Sequence, residues 1–452
     1  MSEPIIDSSL QVTTSRSQII KIALPISFAI LIPQLNFITN NVFLGHYSDQ
    51  ALAVAGVTGV FYLIFAAIGF GLNNGMQALI SRRAGENRPE EIGKIFNQGV
   101  FISLVIALMG IILTYTLVPH VFKLFISDST RYNKAVHFLY IRIWGLPFLY
   151  IYQMRNALLV GTNQSKYLVA GTIAEALSNV LLDYLLIFGK YGFPQLGFNG
   201  AAYASIFAEM IGLFVVYWVI HAKGIGKRFK LFSDWSWDTE NMKRILKMSA
   251  PLIFQHAISI MSWEYFFLLI DGHGAQALAI SNTMRNVFGF FGSVTWAFAA
   301  TSNTMVSNLI GQKKQEEVWT LLYRIIQLST GFSILMAILL NLFPETFLSI
   351  YGQDASFVNA AIPVIRVVSS AMILMSFSTV LMNAVTGSGN TKITLLIEAY
   401  TIVLYCTYVY LVLDYYFLPI EIGWMSEWIY WIGICIPSWW YMRGEKWKNK
   451  EI

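Results

Sequence analysis

Charged side chains are scarce in this chain. Lysine, arginine, aspartate and glutamate make up 12% of the 452 residues, about half of the roughly 25% that soluble domains contain. Hydrophobic residues make up 56%, and the mean hydropathy is +0.58. This composition excludes an ordinary soluble protein and indicates a chain that lies largely in a lipid bilayer.

Cysteine and histidine are also rare, and reactive motifs are missing. The two cysteines, Cys406 and Cys435, fall in predicted membrane spans, so no disulfide framework is expected. The six histidines lack metal-ligand spacing, and the sequence contains no GxxxxGK[ST], HExxH or nucleophile-elbow pattern. We therefore expect neither an enzyme nor an ATP-driven pump, and no cofactor other than a coupling ion. The net charge of +5 suits basic loops that face anionic lipid, and nothing calls for nucleic acid.

Long apolar runs are what the sequence has instead. Each run reaches the roughly 20 residues that a helix needs to cross a hydrocarbon core of about 30 Å. Hydropathy predicts twelve such spans, at about 19–44, 52–80, 95–118, 138–160, 168–188, 200–221, 245–270, 278–310, 322–343, 362–386, 393–417 and 424–442.

The distribution of basic residues predicts the orientation of these spans. Most lysines and arginines, including Arg82, Arg83 and Arg155, fall in connections that are cytoplasmic if the N-terminus is inside. The positive-inside rule therefore predicts that both termini are cytoplasmic and that the protein sits in the cytoplasmic (inner) membrane.

The two halves of the chain repeat each other at a constant offset of 226 residues. At this offset Pro25 aligns with Pro251, Gly85 with Gly311, and the loop tetrapeptide QALA with a second QALA. Six is an even number of spans, so the two halves cross the membrane in the same sense. The sequence thus predicts an all-α polytopic membrane protein, with twelve transmembrane helices in two six-helix lobes related by a parallel internal repeat. Such repeats are typical of transporters whose site lies between two lobes.

The repeat also predicts the domain organisation, and we expect a monomer because one chain already supplies two lobes. The predicted segments are an N-terminal tail (1–18), an N-lobe (19–221), a cytoplasmic linker (222–244), a C-lobe (245–442) and a C-terminal tail (443–452).

Three polar residues form a stripe in the predicted fifth span. Asp183, Asn179 and Glu175 are spaced four apart, which places them on one helical face. Ionisable groups inside spans are expensive and are therefore functional candidates. The stripe is consistent with a bound Na⁺ or proton, and equally, at Glu175, with a structural hydrogen bond to a neighbouring helix.

The second half carries its own candidate in the predicted seventh span. Glu264 lies among aromatic residues that include Trp263, an arrangement that suits an organic cation. The alternative is that Glu264 pairs with Arg285 on the next span. Similarly, Glu209 in the sixth span can pair with Arg142.

Several stretches resemble one transporter family. They are IKIALPISFAILIPQLNFITNNVFLGHYSDQALAVAG, GFGLNNGMQALISRRAGE, NVLLDYLLIFGKYGFPQLGFNGAAYAS and VTGSGNTK. Together these stretches resemble the multidrug and toxic compound extrusion (MATE) family from about residue 19 to 440. The resemblance implies an export carrier that exchanges small organic, often cationic, compounds for Na⁺ or H⁺ by alternating access of two lobes.

The resemblance also implies a set of ion ligands in the N-lobe. Asn179 and Asp183 match the family's fifth-helix pair, and Ser205 in GAAYAS takes the place of its sixth-helix threonine. The family's first-helix acid falls on Asn40, so one carboxylate is missing. Asn40 can still offer its carbonyl oxygen to Na⁺ beside Asp183 and Asn179, or Glu175 can substitute for the missing acid, or coupling can lie in the C-lobe. The sequence therefore leaves Na⁺ and H⁺ coupling open.

Other classes remain to be weighed against an exporter. A flippase of the same superfamily, moving lipid-linked or amphipathic substrates, should have a more cationic cavity than Arg142, Arg285 and Arg366 provide. A major-facilitator carrier should have a GxxxDRxxRR-like loop where this chain has SRRAGENRPEEIGK. A membrane enzyme or receptor is disfavoured by the internal duplication.

Overall fold

The structure is a computed structural model that describes residues 10–126, 128–233, 235–349 and 355–452. Twelve long helices fill this described part of the chain. They are α1 (Arg16–Tyr47), α2 (Asp49–Gly85), α3 (Pro89–Phe125), α4 (Ser129–Gly161), α5 (Leu168–Phe188), α6 (Phe198–Ala222), α7 (Thr239–Asp271), α8 (Ala275–Gly311), α9 (Val318–Leu342), α10 (Ala355–Gly387), α11 (Thr391–Tyr415) and α12 (Ser426–Arg443). Three short helices, Ile225–Arg228, Pro344–Ser349 and Ile420–Trp424, lie in the connections.

The twelve helices correspond one to one with the twelve predicted spans. Ten of them are by themselves long and apolar enough to cross a membrane, and the two others are α8 and α12. The helix α8 is less apolar because its second half holds the run TSNTMVSN, and all eight of those side chains are buried in the protein. Protein contacts therefore replace lipid contacts along this part of α8.

The helices extend beyond the hydropathic segments because polar residues cap them. The side chain of Ser15 accepts a hydrogen bond from the backbone of Gln18 and begins α1. Pro89 opens α3, where Glu90 and Glu91 in the first turn favour the helix N-terminus. Most of the polar connection between the second and third spans is consequently helical.

The predicted linker lies against the start of α3. The backbone N–H of Phe232 donates to the Oδ1 atom of Asn97 at 3.0 Å, and Gln98 donates to the carbonyl of Ser236 at 2.8 Å. Lys230 donates to Glu90 at 2.7 Å, and this hydrogen bond and charge hold the pKa of the Glu90 carboxyl below its usual range. The connection between the two halves is thus attached to the first half.

Four helices, α1, α2, α7 and α8, form the contact between the two halves. The helix α1 packs on α8, and α2 packs on both α7 and α8. Glycines permit the closest approaches, because a Cβ atom added to Gly71 would lie 2.5 Å from the backbone nitrogen of Ile253. Further along α8, a Cβ on Gly289 would lie 3.5 Å from Gln34 of α1. The backbones of the two halves therefore approach each other more closely at Gly71 than at Gly289.

Hydrogen bonds lock the halves together at the end that carries both chain termini. Gln77 donates to the carbonyl of Ala300 at 2.8 Å, Ser81 to that of Thr304 at 2.6 Å, and Ser307 to that of Ala78 at 2.7 Å. These bonds run in both directions between α2 and α8, so each helix both donates to and accepts from the other.

The two terminal segments cross over this closed end in opposite directions. Near the N-terminus, Asn308 of α8 donates to the carbonyl of Leu10 and accepts from the N–H of Val12. Near the C-terminus, Arg83 of α2 donates to the carbonyl of Ile452 at 2.6 Å. Each half therefore sends a terminal segment onto the other half.

Candidate ion and substrate sites

Asp183 is the most isolated carboxylate in the first half. It lies on α5, which ends at Gly189 in the left-handed conformation (φ +66°) that favours glycine. Its side chain is fully buried, and both of its oxygens lack a hydrogen-bond partner in the described structure. An unpartnered buried carboxylate is costly, so this position calls for a bound cation or proton.

Asn40 lies at the same height on the neighbouring helix. The parallel helices α1 and α5 pack together, and the ring of Phe43 lies 6.4 Å from Tyr184 and 6.1 Å from Phe188. Asn40 is one turn before Phe43, which places it beside the turn of Asp183. Its Oδ1 atom is buried and also lacks a hydrogen-bond partner.

Ser205 reaches the same level from α6. The helices α5 and α6 are antiparallel, because a Cβ on Gly200 would meet the backbone of Leu186 at 2.7 Å and a Cβ on Gly212 would meet Glu175 at 2.7 Å. Interpolation between these two contacts places Ser205 level with Leu181 or Leu182, within about half a turn of Asp183. The packing of α1, α5 and α6 therefore puts Asp183, Asn40 and Ser205 on neighbouring helices within about one turn of the same level.

Asn179 completes this group one turn below Asp183, where its side chain is buried. The group offers carboxylate, amide and hydroxyl oxygens, which are ligands suited to a hard monovalent cation or to a proton. No cluster of three or more His, Cys, Asp or Glu side chains occurs among the described residues. The donor set therefore does not suit a transition metal.

Glu175 belongs to a different cluster, although it shares the α5 stripe. Arg142 of α4 donates to both carboxylate oxygens of Glu209, at 2.5 and 3.2 Å, and lies over the ring of Tyr62. The charges that act on Glu175 are those of Glu209, Arg155 and Arg142. Two arginines and two glutamates thus compensate one another, whereas Asp183 has no hydrogen-bond or ion-pair partner among the described residues. The predicted pairing of Glu209 with Arg142 is confirmed.

The prediction that Arg155 lies in a cytoplasmic connection is wrong. Arg155 is fully buried within α4, with its guanidinium 3.8 Å from the centre of the Tyr152 ring. Its three side-chain nitrogens have no hydrogen-bond partner among the described residues. The carboxylate of Glu175 compensates part of the Arg155 charge in the interior. Arg82 and Arg83 are likewise buried, at the end of α2.

In the second half, Glu264 is paired. Arg285 of α8 donates to Glu264 at 3.2 Å, and both side chains are about one-third exposed. The guanidinium of Arg285 also stacks 3.8 Å above the ring of Phe267. Trp263 packs against the rings of Phe267, Phe288 and Trp424, within the aromatic core of the C-lobe. The pair leaves no net charge at this position.

Sequence reasoning missed two buried carboxylates, Glu398 on α11 and Glu427 on α12. Their side chains are 0% and 2% exposed. Both could have been found by the criterion that identified Asp183, because each is an ionisable residue inside a predicted span. Tyr430 donates to Glu398 at 2.5 Å, and Trp431 donates to Glu427 at 3.0 Å.

The structure contains cavities at both ends of the bundle. A cavity of about 620 Å³ opens in the N-lobe at the end away from the termini, between Tyr47, His137 and Phe198. A cavity of about 850 Å³ lies at the closed end between the two halves, and nine of its twenty lining residues are basic, among them Arg82 and Lys247.

The fold and these sites define a polytopic α-helical transporter built from two repeats. The sequence matches the MatE family over residues 25–185 and again over 251–411, at the offset of 226 residues. The chain belongs to the MatE family of multidrug transporters, and the predicted resemblance, fold class and duplication are confirmed.

Individual relatives agree with this assignment. A probable multidrug resistance protein NorM of Thermotoga maritima is 23% identical over 385 residues, which cover 84% of this chain and 82% of that protein. An uncharacterized transporter YisQ of Bacillus subtilis is 24% identical over 358 residues, which cover 77% of this chain and 76% of that protein. A solved structure described as an outward-facing conformation of a MATE family transporter superimposes with a TM-score of 0.89 at 15% identity, covering 98% of both chains.

Proposed function

We propose that the protein is a secondary active exporter of small organic, chiefly cationic, compounds, driven by exchange for Na⁺ or H⁺. The observation that carries this proposal is the isolation of Asp183. It is buried, its oxygens are unpartnered, and every other carboxylate of the N-lobe interior lies beside an arginine. A cation or proton that arrives at Asp183 removes the cost of this buried charge.

Ion binding at Asp183 can drive transport because three helices meet there. Asp183, Asn40 and Ser205 come from α5, α1 and α6, so an ion held among them draws these helices together. The helix α1 also packs on α8 of the opposite half. Occupation of the site therefore favours one arrangement of the lobes over the other, which is the requirement for coupled exchange.

The closed end determines to which side of the membrane the cleft between the two lobes opens. With both termini in the cytoplasm of an inner-membrane protein, the bonds between α2 and α8 close the cytoplasmic side, so the cleft faces outward. Alternating access then requires these bonds to break. We propose a monomer that needs no cofactor besides the coupling ion and has no enzymatic activity.

The three arginines by which the sequence weighed the flippase alternative give it no support. Arg142 is paired with Glu209, Arg285 is paired with Glu264, and Arg366 is exposed. An anionic lipid head group would require unpaired cations in the cleft.

Reconstitution tests the proposal. Liposomes containing the purified protein and loaded with ethidium would be exposed to a Na⁺ gradient or a pH gradient separately. We expect efflux under one gradient and its loss in Asp183→Asn, whereas Asp271→Asn, which neutralises an exposed carboxylate at the end of α7, should transport normally. Equal efflux from both variants would exclude the Asp183 site. If neither gradient drove efflux and labelled lipids moved instead, the proposed function would change from exporter to flippase.

A further inference from the structure

Glu398 is a buried carboxylate that the N-lobe site does not use. It lies near the middle of α11 and is fully buried among α7, α11 and α12. No lysine, arginine or histidine of the described structure lies within ion-pair distance of it. A carboxylate in such a place must be neutralised or strongly hydrogen-bonded.

Hydrogen-bond donors occupy both oxygens of Glu398. The hydroxyl of Tyr430 donates to Oε1 at 2.5 Å, and the amide of Gln255 donates to Oε2 at 3.2 Å. A sodium ion binds oxygen acceptors, and here the carboxylate oxygens already face donors. A proton, by contrast, adds to the carboxylate without displacing either neighbour.

The hydrogen-bond chain beyond Tyr430 can run in either direction. The hydroxyls of Tyr430 and Ser259 lie 3.1 Å apart, and either one can donate. While Glu398 is anionic, Ser259 donates to Tyr430 and Tyr430 donates to Glu398. When Glu398 takes up a proton, its O–H donates to Tyr430 and the Tyr430 hydroxyl turns to Ser259. The hydroxyl of Ser259 then donates to the carbonyl one helical turn earlier, as serines in helices commonly do.

Buried hydroxyls continue this polar column toward Glu427. Thr401 is fully buried one turn beyond Glu398, and its Oγ1 atom has no hydrogen-bond partner among the described residues. The hydroxyls of Tyr405 and Ser426 are buried beside each other, and the charge of Glu427 acts on Tyr405 and Tyr430. These hydroxyls give the column groups that can take part in a rearranged hydrogen-bond chain.

The helix that contacts Glu398 also forms the interface between the lobes. Gln255 and Ser259 project from α7 toward Glu398, whereas Ile253 and His256 of the same helix contact α2. His256 lies 3.1 Å from Asn74 across the interface. A change in the hydrogen bonds of Glu398 therefore acts on a helix whose position determines how the lobes meet.

We propose that Glu398 is a proton-binding site of the C-lobe, formed with Tyr430, Ser259 and Gln255 and separate from the ion site at Asp183. The titratable groups around it are Tyr430 in contact, and Glu427, Tyr405 and His256 in the surrounding helices. Tyr430 is a positioning residue, because it orients the carboxyl group and accepts its proton in a hydrogen bond. The site itself exists whether or not the proposed export function is correct.

Infrared spectroscopy of the protein in lipid tests this site without transport. Protonated carboxyl groups have a carbonyl-stretch band that ionised carboxylates lack, and the band would be followed through a pH titration. We expect a titrating band that is present in the wild type and in Asp183→Asn and is lost in Glu398→Gln. Glu427→Gln is the matched control, since it removes a carboxyl of equal burial and should leave the Glu398 band in place.

Further variants keep the proposal testable if Glu398→Gln does not fold. Tyr430→Phe and Ser259→Ala retain the carboxyl group but break the chain, so both should shift the frequency of the band. A spectrum unchanged in Glu398→Gln would overturn the proposal. So would a band that responds to Na⁺ at constant pH, because that response would indicate a metal site.

The liposome efflux assay distinguishes a failure of this proposal from a failure of the proposed exporter function. Loss of efflux in Asp183→Asn together with a retained Glu398 band would support both. A titrating Glu398 band in a protein that moves no organic cation would leave the proton site standing and remove the exporter function.

Discussion

Gly85 of α2 and Gly311 of α8 lie back to back at the closed end of the molecule. A Cβ atom built on Gly311 would be 3.2 Å from the Cα of Gly85 and 2.4 Å from the carbonyl oxygen of Arg82. The two glycines are equivalent positions of the repeat, so the pseudo-twofold axis passes between them. This contact lets the backbones of the two halves touch, and no residue with a side chain fits there.

Gly85→Ala should open this end of the protein. The added Cβ would lie 2.1 Å from the carbonyl oxygen of Asn308, so α2 and α8 must move apart. We expect the population to shift toward the state that is open at the terminal end, together with a loss of transport. Spin labels on α2 and α8, measured by pulsed electron paramagnetic resonance, would report the longer distance.

Gly59→Ala is the matched control on the same helix, since a Cβ at Gly59 meets nothing within 4 Å. Alanine in place of an unconstrained helical glycine stabilises a helix by about 1 kcal/mol. We therefore expect Gly59→Ala to keep the wild-type distances and activity. The same distances in Gly85→Ala as in Gly59→Ala would mean that the close approach of the two helices is not required.

Asn40→Asp should strengthen cation binding in the N-lobe. The substitution restores the acid that the family resemblance places on the first helix, at the level of Asp183. Two carboxylates around one Na⁺ gain electrostatic energy, and we expect the affinity to rise about tenfold, or about 1.4 kcal/mol. Binding of radioactive ²²Na⁺ to the purified protein would measure this change, with Asn41→Asp as the control. Weaker Na⁺ binding in Asn40→Asp would show that Asn40 does not face the site.

The sequence predicted the helices and the repeat because both depend on local and repeated patterns. Twelve apolar runs fixed the spans, and the alignment of Gly85 with Gly311 fixed the offset. The spacing of Asn179 and Asp183 likewise needed only the period of a helix. These features involve residues close in the chain or a match between two halves.

The compensation of charges could not be predicted, because it depends on which helices become neighbours. Glu175 shares its face with Asp183, yet the packing of α4 and α6 brings Arg155 and Glu209 to it and leaves Asp183 without a charged partner. The count of basic residues placed Arg155 in a connection although the predicted span 138–160 contains it, since a single span gives no sign of a compensating acid on another helix. The Glu398 cluster needed contacts among α7, α11 and α12 for the same reason.

Arg155→Met should destabilise the protein, and Glu175→Gln should rescue it. Arg155 and Glu175 form no direct ion pair among the described residues, but the charge of Arg155 acts on the Glu175 carboxylate, so removing Arg155 leaves that interior charge less compensated. The double variant removes both charges, so we expect it to be more stable than Arg155→Met alone. Thermal unfolding in detergent would provide the double-mutant cycle. Additive losses would mean that Arg155 and Glu175 do not interact.

Glu264 and Arg285 should have opposite effects on cationic substrates, because they neutralise each other across α7 and α8. Glu264→Gln leaves Arg285 unpaired, so organic cations should bind about tenfold more weakly, a change of about 1.4 kcal/mol. Arg285→Gln leaves Glu264 unpaired and should strengthen their binding. Equilibrium binding of tetraphenylphosphonium would measure both effects, and a neutral compound of similar size provides the comparison. If both variants weakened the charged and the neutral compound equally, the pair would be structural, since only a charge that faces the substrate distinguishes the two compounds.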